Sequence, residues 1–361
     1  DVYKRQFWDR SSIFMLNCER RSPAGQTGVM TPAAFDLAAI GAGLSFAAAL
    51  DELSTALDES GSVVVSAPPG TGKTTLVPPL LASRSTGRVI VTQPRRLAAR
   101  AAARRLAQLD GSPLGTRVGF TVRGERSAGP QTRVEFVTAG VLLRRMIDDP
   151  GLDGVDAVII DEVHERALET DLLIGLLSEV RELRDDLVVV AMSATLDAAR
   201  IAAVLGADDR PAPVVDHDVP AFRLAECWAP SATPRLDERG VTRGFLDHVA
   251  RTTTSAALDL RRENPDADVL VFAPGAREVS EIARRIRDTS DAFDVRELHG
   301  QIPAAEQDAV IRGRSPNDRP RIIVTTSLAE SSLTVPGVRL VVDSCLSRHP
   351  QRDATLSLIH I

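Results

Sequence analysis

Between Ser62 and Met192 the chain repeats one pattern, a short β-branched run followed by a stretch of helical composition. The runs read S-V-V-V-S-A, R-V-I-V-T, R-V-E-F-V, V-D-A-V-I-I and L-V-V-V-A-M. They are mostly apolar instead of alternating, which suits strands covered on both faces. Such strands belong to parallel sheets with helical crossovers. A Pro-rich, acidic passage from Asp208 to Pro220 reads as a linker. Beyond it the rhythm resumes with D-V-L-V-F, V-R-E-L, R-I-I-V-T-T and R-L-V-V-D.

Two α/β domains in tandem account for this. The length agrees, because 361 residues exceed the roughly 250 to 300 at which single cores stop growing. The expected division is a first domain over 42–213 and a second over 214–350. The 1–41 segment has no clear period, and 351–361 ends without a recognisable element, so both are expected to stay outside the fold. A hydrophobic fraction of 43% and a charged fraction of 25% argue against whole-chain disorder. Cys18, Cys227 and Cys345 lie far apart without C-x-x-C spacing, which excludes the usual zinc and redox sites and suits a reducing cytoplasm. No membrane span is expected: the apolar run Leu37 to Leu50 falls short of the ~20 residues required. A net charge of −6 speaks against bulk attraction to nucleic acid, so any such partner must be met by local basic clusters.

After the S-V-V-V-S strand comes A-P-P-G-T-G-K-T-T, Ala67 to Thr75, ahead of a predicted helix. Strand, glycine loop and helix in that order make a phosphate cradle. Gly70 and Gly72 let successive N–H groups turn toward one anion, with Pro69, Thr71 and Thr75 completing the loop. The helix N-terminus adds partial positive charge, Lys73 reaches the β and γ phosphates, and Thr74 offers a hydroxyl to Mg²⁺. The residues therefore point to ATP or another NTP with Mg²⁺.

The strand V-D-A-V-I-I runs straight into D-E-V-H-E-R, residues 161–166. It delivers Asp161 and Glu162 to the carboxyl end of the sheet, where ligands of open α/β folds bind. Asp161 suits a magnesium-holding carboxylate, and Glu162 suits orientation or deprotonation of an attacking water. His164 is expected to hydrogen-bond across to the S-A-T segment, Ser193 to Thr195, which supplies hydroxyls at the end of the next strand. Glu165 and Arg166 have a plain alternative as solvated helix charges.

The segments A-P-P-G-T-G-K-T-T, T-Q-P-R-R-L-A-A-R, T-A-G-V-L-L-R-R-M, D-E-V-H-E-R, S-A-T and T-T-S-L-A-E-S-S-L-T-V-P-G-V occur in that order. Together they resemble motifs I, Ia, Ib, II, III and V of the DEAH-box helicases of superfamily 2, and with D-S-C-L-S-R most of all the bacterial HrpB type. The resemblance runs from about Leu44 to His349. It implies two RecA-like domains with NTP and Mg²⁺ between them, movement along single-stranded RNA driven by hydrolysis, and catalytic roles for Lys73, Glu162 and His164. It further implies nucleic-acid backbone contacts at Arg95, Arg96, Thr138, Gly140, His299, Gly300, Thr325 and Thr326, and coupling roles for Ser193, Thr195 and Glu330.

Physics supports part of this independently. Arg96, Arg100 and Arg104 recur every fourth residue and would form one basic helical stripe facing phosphates; a solvated arginine face is the bland alternative. Ser327 stands where motif V carries Asn. After Gln351 and Arg352 the chain reads D-A-T-L-S-L-I-H-I, with no Q-R-x-G-R-A-G-R run of motif VI, so the second domain is expected to be incomplete. An arginine finger is worth about 10³- to 10⁵-fold in turnover. The competing expectation is thus a fragment that binds nucleotide and nucleic acid without productive turnover.

Overall fold

The computed structural model describes residues 34–194, 198–207, 210–219, 224–315, 318–327 and 335–348, with the backbone of 350–351 and 359–360. The first lobe opens with helices α1 (Leu37–Ile40) and α2 (Leu50–Ser60), then β1 (Ser62–Ser66), α3 (Lys73–Arg84), β2 (Arg88–Gln93) and α4 (Arg96–Asp110). It continues with β3 (Val118–Val122), β4 (Glu125–Ser127), β5 (Val134–Thr138), α5 (Ala139–Asp148), β6 (Val155–Ile160), α6 (Leu168–Leu183), β7 (Val188–Ser193), α7 (Ala198–Leu205) and β8 (Val214–Asp216). These strands form one sheet in the order β4-β3-β5-β2-β6-β7-β1-β8. Every pairing is parallel except the short β3–β4 hairpin.

The mostly apolar runs have their expected consequence. Val63, Val65, Val89, Val91 and Ile159 face one core with α2, α3 and α4, whereas Val64, Ile90, Val158 and Ile160 face another with α5, α6 and α7. The central strands β1, β2 and β6 therefore bury both faces.

The second lobe contains a two-residue-strand hairpin, β9 (Leu236–Asp237) with β10 (Gly240–Val241), and then α8 (Arg243–Glu263), β11 (Asp268–Phe272) and α9 (Ala276–Thr289). β12 (Asp294–Leu298), α10 (Ala304–Ile311), β13 (Arg321–Thr325) and β14 (Val338–Asp343) complete it. Among the described residues its sheet is parallel and four-stranded, β12-β13-β11-β14. No helix among them is long and apolar enough to cross a membrane.

Two expected boundaries move. Val214–Asp216 hydrogen-bonds along β1, so the first lobe runs past 213 and takes an edge strand from the supposed linker. At the other end Phe35 and Ile40 are buried in the first core, so packing begins ahead of 42; Arg117 caps the Phe35 ring at 4.2 Å. The expectations for 1–33 and for the side chains of 351–361 lie outside the described residues.

One buried carboxylate ties the sheet to a helix that matters below. Glu135 of β5 is fully buried and accepts from Arg88 Nη1 at 2.8 Å and Arg145 Nη1 at 3.0 Å, the latter reaching down from α5. Burial alone would push its carboxyl up. Hydrogen bonds from Arg145 and Thr121, with the charges of Arg145 and Arg88, outweigh burial and hold it below the ordinary carboxylate value. A depressed folded value means that its stabilisation is complete above the unfolded value, about 4.3, and drains away as pH falls through the folded one. Glu135→Gln is expected to cost about 1–3 kcal/mol at pH 7 and to flatten the acid limb. Urea midpoints at pH 7 and 3.5 test this; equal acid losses in wild type and variant would contradict it.

Candidate nucleotide and nucleic-acid site

β1, β7, β6 and β2 are consecutive neighbours in the first sheet, so their carboxyl ends open onto one edge. There the loop after β1 climbs into α3. Gly70 and Gly72 have φ of 80° and 103°, a left-handed backbone that side-chain-bearing residues rarely adopt. A Cβ on Gly72 would also sit 2.8 Å from Leu44. Thr71 closes the turn by donating to the Pro68 carbonyl at 2.9 Å, and Phe46 N–H braces it from outside on the Thr71 carbonyl at 3.0 Å. Pro69 and Gly70 are exposed, and Thr75 is half-buried in the first helical turn.

Lys73 is only 4% exposed, with its ammonium 3.4 Å from the Ala67 carbonyl. Next to it Thr74 Oγ1 donates to Asp161 Oδ2 at 2.7 Å, Gln93 Nε2 donates to the same oxygen at 2.6 Å, and Glu162 N–H donates to Oδ1 at 2.9 Å. Burial pushes the Asp161 carboxyl up against the opposing charge of Lys73 and these three donors. Gln93 went unnoticed in the sequence. Its only signal was its place at the end of β2, the strand paired with β6.

Glu162 has φ 55°, and so does Arg166; the two left-handed residues bracket a single 3₁₀ turn, Val163–Glu165. A non-glycine residue held there stores about 1–3 kcal/mol of strain. The turn lifts His164 between two partners: its Nδ1 accepts from Ala194 N–H at 3.2 Å, and its Nε2 stands 3.4 Å from Glu162 Oε2. Burial, then the charge of Lys73, lowers the imidazole's affinity for a proton against the pull of Glu165 and Asp161. With Nδ1 accepting, the proton of the neutral ring sits on Nε2 and points at Glu162. A main-chain N–H of the S-A-T segment thus meets the ring, because β7 presents its backbone at this height. Ser193 serves through its carbonyl, which accepts from Ala67 N–H at 3.1 Å at the root of the glycine loop. Thr195 lies outside the described residues.

Arg95 and Arg96 start α4, with Arg96 exposed. Thr138 starts α5 beside Gln93, and Gly140 is exposed in that helix's first turn with open space where a Cβ would stand. The expected basic stripe faces solvent only in part, at Arg96. Arg100 is 2% exposed and donates to Glu125 and Gln307, while Arg104 pairs with Asp308, so these arginines join the lobes. Arg95 also crosses over, donating to the Ser327 carbonyl.

In the second lobe His299 is 8% exposed, Gly300 is exposed, and His299 Nδ1 accepts from Gln301 N–H at 3.3 Å. His299 lines a cavity of about 390 Å³ with Arg277, Gln301 and Arg348. Thr325 is fully buried, and its hydroxyl donates to the Leu298 carbonyl at 2.8 Å, so that side chain fastens β13 to β12. Thr326 is half-buried beyond it, and Glu330 lies outside the described residues.

Comparison with known proteins agrees with this layout. Residues 48–204 match the DEAD/DEAH box helicase model, and 252–358 match the helicase conserved C-terminal domain. The ATP-dependent RNA helicase HrpB of Escherichia coli (strain K12) is 38% identical over 88% of this chain and 38% of its own length. The human protein named probable ATP-dependent RNA helicase DHX34 is 33% identical over 80% of this chain and 25% of its own. The crystal structure of the E. coli DEAH/RHA helicase HrpB superposes with a TM-score of 0.75 at 38% identity, covering 88% of this chain and 39% of that one. The chain thus spans between a quarter and two-fifths of the length of these relatives. Its two sheets are tandem RecA-like domains, and the chain belongs to the DEAD/DEAH-box helicases.

Proposed function

We propose that this chain forms the nucleotide-driven core of an ATP-dependent RNA helicase, binding ATP with Mg²⁺ at the glycine loop and coupling its hydrolysis to movement of single-stranded RNA across both lobes. The observation that carries this reading is the buried Lys73 beside the Thr74–Asp161–Gln93 cluster at one sheet edge. A hydroxyl and two carboxylates are hard oxygen donors of the kind Mg²⁺ takes, and Mg²⁺ typically shares itself between one or two carboxylates and phosphate oxygens instead of filling an all-protein cage. Thr74, Asp161 and Glu162 would hold the ion, which when bound neutralises phosphate charge.

The chain's own groups do the rest. Loop N–H groups and Lys73 bind the phosphates, Asp161 fixes the Thr74 hydroxyl, and Glu162 orients and deprotonates water. Neutral His164 links Glu162 to the Ala194 backbone, so a shift at the end of β7 reaches the general base. Arg95, Arg96, Thr138, Gly140, His299, Gly300 and Thr326 supply RNA backbone contacts, which carry no base information. Unpaired, exposed Cys227 and Cys345 suit a cytoplasmic setting.

Lys73→Ala tests the reading. Loss of charge-assisted hydrogen bonds of about 1.5–3 kcal/mol predicts Mg·ATP affinity roughly 10- to 150-fold weaker, read by titration calorimetry with and without magnesium. Unchanged, magnesium-independent affinity would overturn it.

A further inference from the structure

Arg100 belongs to the first lobe, yet its guanidinium is spent on the second. Nη2 donates to Gln307 Oε1 at 2.6 Å, while Nη1 donates to Glu125 Oε2 at 3.0 Å within its own lobe. Gln307 then passes the contact on: its Nε2 donates to the His299 carbonyl at 3.2 Å and to the Ile302 carbonyl at 3.0 Å. One amide thereby uses its oxygen for the first lobe and its nitrogen to close the 299–302 loop of the second. The surroundings keep this relay in register. Leu97, one turn before Arg100, is buried among Leu270, Leu298, Val310 and Ile323 of the second lobe, and one turn after it Arg104 pairs with Asp308. At 2% and 7% exposure neither Arg100 nor Gln307 is open to a phosphate.

We infer that Arg100 is a positioning residue for the RNA grip: acting through Gln307, it sets from the first lobe the loop in which His299 and Gly300 meet the strand in the second. This rests on the functional reading above for the role of that loop. The geometry supplies a reason for a fork at position 100. A guanidinium serves Glu125 and Gln307 at once in fixed directions, whereas an ammonium is a single point donor. Rotation of either lobe about this contact would move the His299 loop before any strand is bound.

Two variants separate the relay from a simple clamp. Arg100→Lys keeps the charge and loses the fork. Gln307→Glu keeps an acceptor for Arg100, so the clamp survives, but removes the donors that hold the His299 and Ile302 carbonyls. In the free protein, amide hydrogen exchange over 299–302 is expected to quicken in both. Affinity for a single-stranded oligoribonucleotide, read by fluorescence anisotropy, is expected to fall about 2- to 30-fold. The slope of log affinity against log salt should drop by about 0.7, one phosphate contact, with Mg·ATP affinity unchanged. A purely structural clamp would not move that slope. Unchanged exchange at 299–302 refutes the relay whether or not RNA binds. Wild-type RNA binding with unaltered affinity and slope in Gln307→Glu overturns this inference alone. Wild-type protein that binds no RNA overturns the functional reading and the role assigned here together.

Discussion

Glu162→Gln is expected to reduce ATP hydrolysis by roughly 10²- to 10⁴-fold while leaving Mg·ATP affinity within about threefold, since binding draws mainly on the loop and Lys73. The reasoning starts from the division of labour between adjacent carboxylates. Asp161 is committed: Thr74 and Gln93 both occupy Oδ2, and Glu162 N–H occupies Oδ1. Glu162 points elsewhere because its left-handed backbone turns it toward His164. The neutral imidazole can donate to a carboxylate, or equally to the amide oxygen of glutamine, so the variant keeps size, backbone and one hydrogen bond. The proton-accepting capacity and the charge are lost, while Thr74 and Asp161 keep their oxygens for the ion. That isolates general-base function from folding and from binding, a separation that Asp161→Asn would not achieve because it also disturbs Thr74. Single-turnover hydrolysis with saturating ATP is the measurement. Turnover within a few-fold of wild type would assign any hydrolysis to another group.

Much of this was legible in the sequence, for identifiable reasons. Val63 to Val65 and Val158 to Ile160 read as doubly covered strands because each residue type matched its burial without help from distant chain. The glycine loop and D-E pair were legible because their chemistry sits on contiguous residues. What failed depended on what stands opposite. The four-residue spacing of Arg96, Arg100 and Arg104 was a true statement about one helix face, but nothing in it reveals that α10 of the second lobe engages Arg100 and Arg104 and leaves Arg96 exposed. Thr325 was read as a backbone contact because its segment resembles motif V; nothing in that segment shows that the Leu298 carbonyl lies 2.8 Å from its hydroxyl. Main-chain partners are hidden in the same way, since Ala194 N–H has no side-chain signature. Val214–Asp216 looked like linker because a three-residue edge strand is too short to show a period.

The second lobe hinges on a different buried carboxylate, and Asp268→Ala is expected to destabilise it by about 3–5 kcal/mol. Asp268 is fully buried at the start of β11. Its Oδ1 accepts from Arg321 N–H at 2.7 Å, and its Oδ2 accepts from Arg321 Nε at 2.9 Å and Nη2 at 2.7 Å. Arg321, 4% exposed, also donates to the Val310 carbonyl at 2.7 Å, and Asp268 N–H donates to the Gly337 carbonyl at 2.9 Å. Arg314 Nε also stands 3.4 Å from Oδ1, so the carboxylate and its two arginines fasten β11, β13, the end of α10 and the approach to β14. Removing the carboxylate strands a guanidinium where water cannot reach it, and the uncompensated charge, more than the lost bonds, sets the cost. The same argument predicts non-additivity. Asp268→Leu with Arg321→Met removes the closest pair, leaves Arg314 its second partner Asp266, and should sit closer to wild type than either single variant, because well-packed apolar replacements of buried pairs are often neutral. Urea unfolding followed by hydrogen exchange of the 268–272 and 321–325 strands measures the second lobe directly. Mg·ATP affinity at low urea is expected to persist in Asp268→Ala, the glycine loop belonging to the other sheet. Single variants within about 1 kcal/mol of wild type, or a double variant worse than both, would mean that packing and not this pair holds the lobe.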